Sequence, residues 1–345
     1  MIDIENALYK LGNVVKSWVE EKPDEYKAAR DIIRKTGHTG SCDMAKKKLN
    51  YHDEYYTPYE LIEYLAGLYD PKVFENKYVY CNCDAPWSNI YKYFRDNFDR
   101  LKLRHLTATA IPDDNTEWRG IRTDYDGKDE RVTRMEWSGT FDSAESRRVL
   151  SQCDVVVTNP PFSLIKDYMR LVTGSGKLFM TFMSNMNVTY PYILDLYVKG
   201  VFNIITSRDM LCGDAKAAVV KSAFDRYVNY VVVSNIPGSA ELEECMRRPT
   251  KYRKYDPQTD LPLDNEKGSI NVDTLIDGIP LYFEGLIYCP PGIVSDIRWK
   301  RDDFDVICTS PRKDAVVEGK IKFRRIPIKL KNNKLQVTEN ESIKK

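Results

Sequence analysis

The sequence predicts an α/β domain built on a largely parallel sheet, with a helical extension before it and a small β-rich module after it. Three observations carry this. Val155, Val156 and Val157 form an unbroken β-branched run, the pattern of a strand covered on both faces. From Lys77 to Val233, short apolar runs alternate with amphipathic helical stretches, which argues for parallel strands joined by right-handed crossovers. Beyond Asn235-Ile236-Pro237-Gly238 the periodicity lapses, and prolines, aspartates and short β-type segments take over. The expected organisation is a helical extension over 1–50, an α/β domain over 51–237, a β-rich region over 238–333 and a polar tail over 334–345.

The elements follow in chain order. Leu8, Leu11, Val15 and Trp18 share one helical face, and Pro23-Asp24 opens a second helix. Lys46, Lys47 and Lys48 read as a solvated helix face more readily than as a phosphate contact. Thr57, Pro58 and Glu60 have the spacing of a capping box with proline at the first helical position, starting a helix that runs to about Tyr69. The aromatics before it, Tyr55 and Tyr56, either decorate that helix start or bracket a cofactor; spacing alone does not choose. Lys77–Cys83 reads as the first strand, followed by an Asp84–Asn89 loop and a helix carrying Ile90, Tyr93, Phe94 and Phe98 on one face.

Arg104–Ala110 is the second strand. Asp126-Gly127 marks a hairpin between Trp118–Tyr125 and Arg131–Trp137. Ser143 caps a helix that leads into the valine strand. A helix over Phe162–Val172, a strand over Lys177–Phe182, a helix near Tyr190–Val198 and strands at Val201–Thr206 and Arg226–Val233 complete the sheet. Short strands are expected later at Phe304–Thr309 and Lys320–Leu330.

Composition excludes several classes. With 52 basic and 51 acidic residues the formal net charge is +1, so only local clustering can speak for nucleic acid. The acidic start of the chain lacks a signal-type apolar region, and no apolar run reaches membrane-spanning length, which leads us to expect a cytoplasmic protein. Eight scattered cysteines include no C-x-x-C pair, and the three histidines are not at ligand spacing; no metal is expected. One local cluster stands out: Arg247, Arg248, Lys251, Arg253 and Lys254 interleave with Tyr252 and Tyr255. Such a stretch suits a phosphate backbone and exposed bases, and suits an ordinary surface loop equally.

The sharpest chemical signal is Asn159-Pro160-Pro161-Phe162, placed where the valine strand ends. Two prolines stiffen the turn and push Asn159 out of the helical region, at the sheet edge where ligands of open α/β folds sit. An amide oxygen and the Pro160 carbonyl are both neutral acceptors. Together they can hold the NH2 of a planar base and draw its nitrogen towards tetrahedral geometry, freeing a lone pair for alkylation. Phe162 offers a flat apolar face for stacking. A strand ending in a plain Pro-Pro loop is the competing reading.

Taken together, Tyr55-Tyr56-Thr57-Pro58, Tyr80-Cys81-Asn82-Cys83-Asp84 and Asp154–Leu164 resemble the EcoRI-type adenine-specific DNA methyltransferases. The resemblance implies a Rossmann-like S-adenosylmethionine-dependent methyltransferase fold and methyl transfer to adenine N6 of a flipped-out base in DNA. It implies that Tyr55, Tyr56, Thr57, Pro58, Asn82, Cys83 and Asp84 line the cofactor and that Asn159, Pro160, Pro161 and Phe162 hold the base. Where the family often carries an acidic residue before Phe, this chain has Thr140-Phe141, with Asp142 as the substitute. The region from 238 onwards is the expected target-recognition region. DNA is the implied partner; the resemblance leaves open whether a cognate restriction endonuclease accompanies the chain, and implies no stable complex with one. Adenine in RNA, a glutamine amide, and nucleic-acid binding without catalysis are the alternatives, the last because the loop at Asp84–Asn89 lacks glycine.

Overall fold

The computed structural model describes residues 57, 59–111, 119–136, 138–205, 230–238, 242, 251–275, 277–297, 303–307, 315–322 and 325–331. The expected N-terminal helices and C-terminal tail lie outside the described residues, as do Tyr55, Tyr56 and Pro58. In chain order the elements are α1 (Tyr59–Gly67), β1 (Tyr78–Cys81), α2 (Asn89–Asp96), β2 (His105–Ala110), β3 (Ile121–Tyr125), β4 (Glu130–Arg134), α3 (Ala144–Gln152), β5 (Val155–Thr158), α4 (Ile165–Gly174), β6 (Leu178–Ser184), α5 (Pro191–Val198), β7 (Asn203–Ile205) and β8 (Tyr230–Ser234). They continue with β9 (Tyr252–Lys254), β10 (Ser269–Asn271), β11 (Ile279–Leu281), β12 (Leu286–Cys289), α6 (Val294–Ile297), β13 (Phe304–Val306), β14 (Ala315–Val317), β15 (Lys320–Lys322) and β16 (Ile326–Leu330).

The chain divides into two compact units, one made of residues 1–183 and 207–242, the other of 184–206 and 243–345. Residues 184–206 thus group with the later part of the chain. Within the first unit the strand order is β4-β3-β2-β1-β5-β6-β8. The β1–β2, β1–β5 and β5–β6 pairs are parallel, as the strand–helix alternation requires. β1 and β5 are buried along their whole length, which explains their unbroken apolar sequences. α2 buries Ile90, Tyr91, Tyr93 and Phe94; α4 buries Ile165, Tyr168, Met169 and Val172. The helix expected from Phe162 begins as a 3-10 turn over Phe162–Leu164 and becomes α-helical at Ile165. Ser143 caps α3 as expected, its hydroxyl accepting from the Ser146 amide.

The hairpin at Asp126-Gly127 is also observed: β3 and β4 pair antiparallel, Gly127 sits at φ +97°, and Asp126 Oδ1 accepts from the Lys128 and Asp129 amides at 2.9 Å each. β4 is mostly exposed and carries Glu130, Arg131 and Arg134, charges that blunt a free edge. At the other flank, Asn235 uses its side chain as an extra rung, accepting from the Phe179 amide at 2.6 Å and donating to the Lys177 carbonyl at 2.9 Å.

In the second unit, β10-β12-β16-β13 form one sheet, β9 pairs with β11, and β14 with β15. The stretch around Tyr252, which shows no periodicity in sequence, is thus a strand, held in parallel register Tyr252↔Ile279. β10, β11 and β12 escape the sequence reading because each is three or four residues long and pairs with a distant segment. Their apolar members Ile270, Ile279 and Ile287 are buried. The Tyr197 hydroxyl donates to the Val294 carbonyl at 2.5 Å, fastening α5 to the start of α6.

A tight backbone crossing lies at Gly139, where a Cβ would stand 1.8 Å from the Ala110 carbonyl oxygen; around Gly174, at the end of α4, no atom lies within 4 Å of that position. Gly139→Ala is therefore expected to lower unfolding free energy by at least ~2 kcal/mol, while Gly174→Ala is neutral or stabilising by up to ~1 kcal/mol. Urea titrations of both variants check this; equal effects contradict the crossing.

Candidate active site

Parallel pairing of Val79 with Val155 and of Tyr80 with Val156 brings the carboxyl ends of β1 and β5 side by side. β2 flanks β1 on one side and β6 flanks β5 on the other, so the strand order reverses at this pair. A crevice opens at such a switch point in open α/β sheets.

β1 stops at Cys81, two residues short of the expected end. Asn82 and Cys83 enter a turn closed by the Asp84 amide on the Cys81 carbonyl at 3.4 Å. Cys81 and Cys83 consequently do not share a strand face, and only Cys81 is buried. The turn is anchored from β5. Thr158 Oγ1 donates to Asp84 Oδ2 at 2.5 Å and accepts from the Cys83 amide at 3.1 Å. The Thr158 carbonyl in turn accepts from Thr181 Oγ1 on β6 at 3.1 Å.

Asp84 is buried. Burial pushes its carboxyl up to about 7, against the opposing pull of the Thr158 and Ser88 hydroxyls and the Asn159 main-chain amide. Ser88 caps α2, its oxygen accepting from the Tyr91 amide at 3.1 Å. One serine thus starts a helix and steadies the acid.

The two strand ends each present a buried amide with one unmet half. Asn159 is 1% exposed; its Nδ2 donates to Thr57 Oγ1 at 3.4 Å, and its Oδ1 has no partner among the described residues. Asn82 is also 1% exposed; its Oδ1 accepts from the Tyr168 hydroxyl at 3.3 Å, and its Nδ2 has no partner among the described residues. An unpaired buried polar atom costs ~1–3 kcal/mol, which a ligand of matching polarity recovers. Thr57, itself buried, is held through its carbonyl by Asn89 Nδ2 at 3.0 Å.

Thr57, Cys83, Asp84 and Asn159 are therefore brought together through hydrogen bonds centred on Thr158 and Asp84, with Asn82 beside them at the end of β1 and bonded to Tyr168. Pro160 is buried and Pro161 half-buried, its carbonyl accepting from the Leu164 amide at 2.9 Å. The Phe162 side chain lies outside the described groups. Asp142 is exposed, and its main-chain carbonyl accepts from Arg147 Nε at 3.0 Å; no hydrogen bond among the described residues joins its carboxylate to the group. Its neighbour Phe141 is buried, edge-on to Tyr168 with ring centroids 5.4 Å apart.

Of the expected basic contacts, Arg247 and Arg248 lie outside the described residues. Arg253 is engaged internally: its guanidinium makes a two-pronged ion pair with the fully buried Asp260. The Lys251 carbonyl accepts from the Ile279 amide at 2.9 Å, and Lys254 ends β9 with an exposed side chain. Sequence reasoning missed Thr158, Ser88 and Tyr168. Thr158 and Ser88 carried a signal, a hydroxyl closing an apolar strand and a helix N-cap. Tyr168 carried none, since a tyrosine at core helical spacing looks like packing. No cluster of metal-binding side chains occurs among the described residues, and no helix among them is long and apolar enough to cross a membrane.

Comparison with known proteins gives the family of the chain. Over residues 43–344 the chain matches the family described as adenine-specific methyltransferase EcoRI. It is 28% identical over 330 residues to the Type II methyltransferase M.EcoRI of Escherichia coli, covering 85% of this chain and 97% of that protein. It is 38% identical over 156 residues to the Type II methyltransferase M.MpnI of Mycoplasma pneumoniae, covering 45% of this chain and 47% of that one. Against M.MgeORF184P of Mycoplasma genitalium it is 34% identical over 156 residues, with the same coverage of 45% and 47%, so the match spans about half the length of the two Mycoplasma relatives. No solved structure matches the chain significantly. The chain belongs to the EcoRI family of adenine-specific methyltransferases.

Proposed function

We propose that this chain methylates the N6 amino group of adenine at a specific site in duplex DNA, using S-adenosylmethionine on a Rossmann-like methyltransferase fold. One observation carries it: the buried Asn159 Oδ1 is an acceptor without a partner among the described residues, at the carboxyl end of β5. An exocyclic NH2 supplies the donor that this oxygen lacks. With the Pro160 carbonyl as second acceptor, both base hydrogens are engaged and the nitrogen lone pair is released for attack. Neither acceptor changes charge, so the site needs positioning more than proton transfer.

Bringing the base to Asn159 requires flipping it from the duplex, which costs a few kcal/mol. Stacking on Phe162 offsets ~1–3 kcal/mol of that. The cofactor fits the other strand end: Asn82 Nδ2 is a buried donor suited to a carboxylate or hydroxyl oxygen of the ligand. When bound, S-adenosylmethionine supplies a sulfonium methyl as electrophile. Asn82, Cys83, Asp84 and Thr57 would hold it, with Tyr55, Tyr56, Pro58 and Asp142 added by family resemblance. Lys251 and Lys254, together with Arg247 and Arg248, remain the basic side chains proposed to meet DNA phosphates. Arg253 is the weakest member of that set because Asp260 already takes both prongs of its guanidinium.

Sequencing DNA from cells expressing the protein, with modified adenines mapped, tests the function. Methylated adenine within one recurrent short sequence is expected, and modification confined to RNA overturns the assignment. Asn159→Ala is expected to reduce methyl transfer to duplex DNA by at least ~100-fold while cofactor affinity, read by calorimetry, stays within about 2-fold.

Asp84 yields a pH dependence. Its folded carboxyl is raised from 3.8 to about 7, so the native state keeps a proton that the unfolded chain releases across that interval. The contribution of Asp84 to stability is therefore fully present below pH ~4 and is lost as pH rises through ~7. Asp84→Asn is expected to flatten this slope, checked by urea unfolding of both proteins at pH 5 and pH 8.

A further inference from the structure

We propose that Tyr168 is a positioning residue for the cofactor, acting through Asn82: its hydroxyl holds Asn82 Oδ1 and thereby turns Asn82 Nδ2 towards the ligand. The proposal rests on the cofactor assignment made above for the carboxyl end of β1. Tyr168 lies on α4, the helix that follows the Asn159–Phe162 turn, and it is fully buried. Its hydroxyl donates to Asn82 Oδ1 at 3.3 Å, and its ring is fixed edge-on by Phe141 at 5.4 Å between centroids. Burial also pushes the phenol well above its usual range, so it remains a proton donor across working pH.

An asparagine amide can rotate to exchange its oxygen and nitrogen. In the arrangement observed the hydroxyl donates, so the oxygen lies on its side and the NH2 faces the other way. That NH2 is the buried donor with no partner among the described residues. Loss of the Tyr168 hydroxyl leaves the amide free to turn either way, and an inward-facing oxygen repels a carboxylate or hydroxyl acceptor. Helix α4 thereby links the turn that holds the base to the amide that holds the cofactor.

The test is a double-mutant cycle on cofactor affinity, with S-adenosylmethionine and its demethylated product as calorimetric probes and thermal unfolding as the folding control. Tyr168→Phe is expected to weaken binding by about 5- to 10-fold. Asn82→Ala is expected to weaken it at least as much, and the double variant no further than Asn82→Ala alone. A purely structural role for Tyr168 predicts losses that multiply, and that result overturns the proposal, as does wild-type affinity in Tyr168→Phe. Should Tyr168→Phe fail to fold, Asn82→Asp substitutes: it keeps an acceptor for Tyr168 but replaces the NH2 with oxygen. It is expected to lose binding while staying folded, and wild-type affinity there also overturns the proposal. Unchanged binding in Asn82→Ala would instead overturn the cofactor assignment itself.

Discussion

The hydrogen bond from Thr158 to Asp84 is the joint on which the site depends. It spans 74 positions of sequence and locks the last residue of β5 to the turn after β1 at 2.5 Å. Because the same hydroxyl also accepts from the Cys83 amide, the turn cannot shift along the strand without breaking both contacts. Each strand end then carries one asparagine in a fixed place, Asn82 and Asn159. The parallel register of β1 and β5 sets the distance between them without help from flexible loops.

The cluster is expensive to assemble. A carboxyl, two amides and three hydroxyls, those of Thr57, Ser88 and Thr158, are all buried there. Most find partners within the group, and the two atoms that do not are of opposite polarity, an acceptor at Asn159 and a donor at Asn82. That division matches a methyl transfer in which one ligand brings NH2 hydrogens and the other brings oxygens. Oriented neutral groups position an amine for such a reaction, and the proton that the methylated nitrogen must shed passes to water. Asp84, whose carboxyl is raised by burial to about 7, ties the two strand ends together through Thr158.

Much of the first unit was legible in the sequence because its signals are local. The valine run, the prolines after Asn159, the Ser143 cap and the Asp126-Gly127 turn each determine structure within a few residues, and each is where it was expected. The early end of β1 was not legible, since it is imposed by Thr158 from another strand. Tyr168 was hidden because a tyrosine at core helical spacing reads as packing. The second unit was mostly illegible: β9 takes its register from Ile279–Leu281 and β10 from Leu286–Tyr288, partners that no local pattern names. Arg253 shows the same limit, reading as a cation for phosphate until the fold supplies Asp260.

The discontinuous second unit bears on how such proteins diversify. Residues 184–206 leave the sheet strand β6, contribute α5 and β7 to the later unit, and return before β8. A single joint near residue 240 between two chains of this kind would graft a new carboxyl-terminal part onto a foreign α5, stranding the Tyr197 hydroxyl that meets the Val294 carbonyl. Keeping that contact takes two joints, one on each side of residues 184–206.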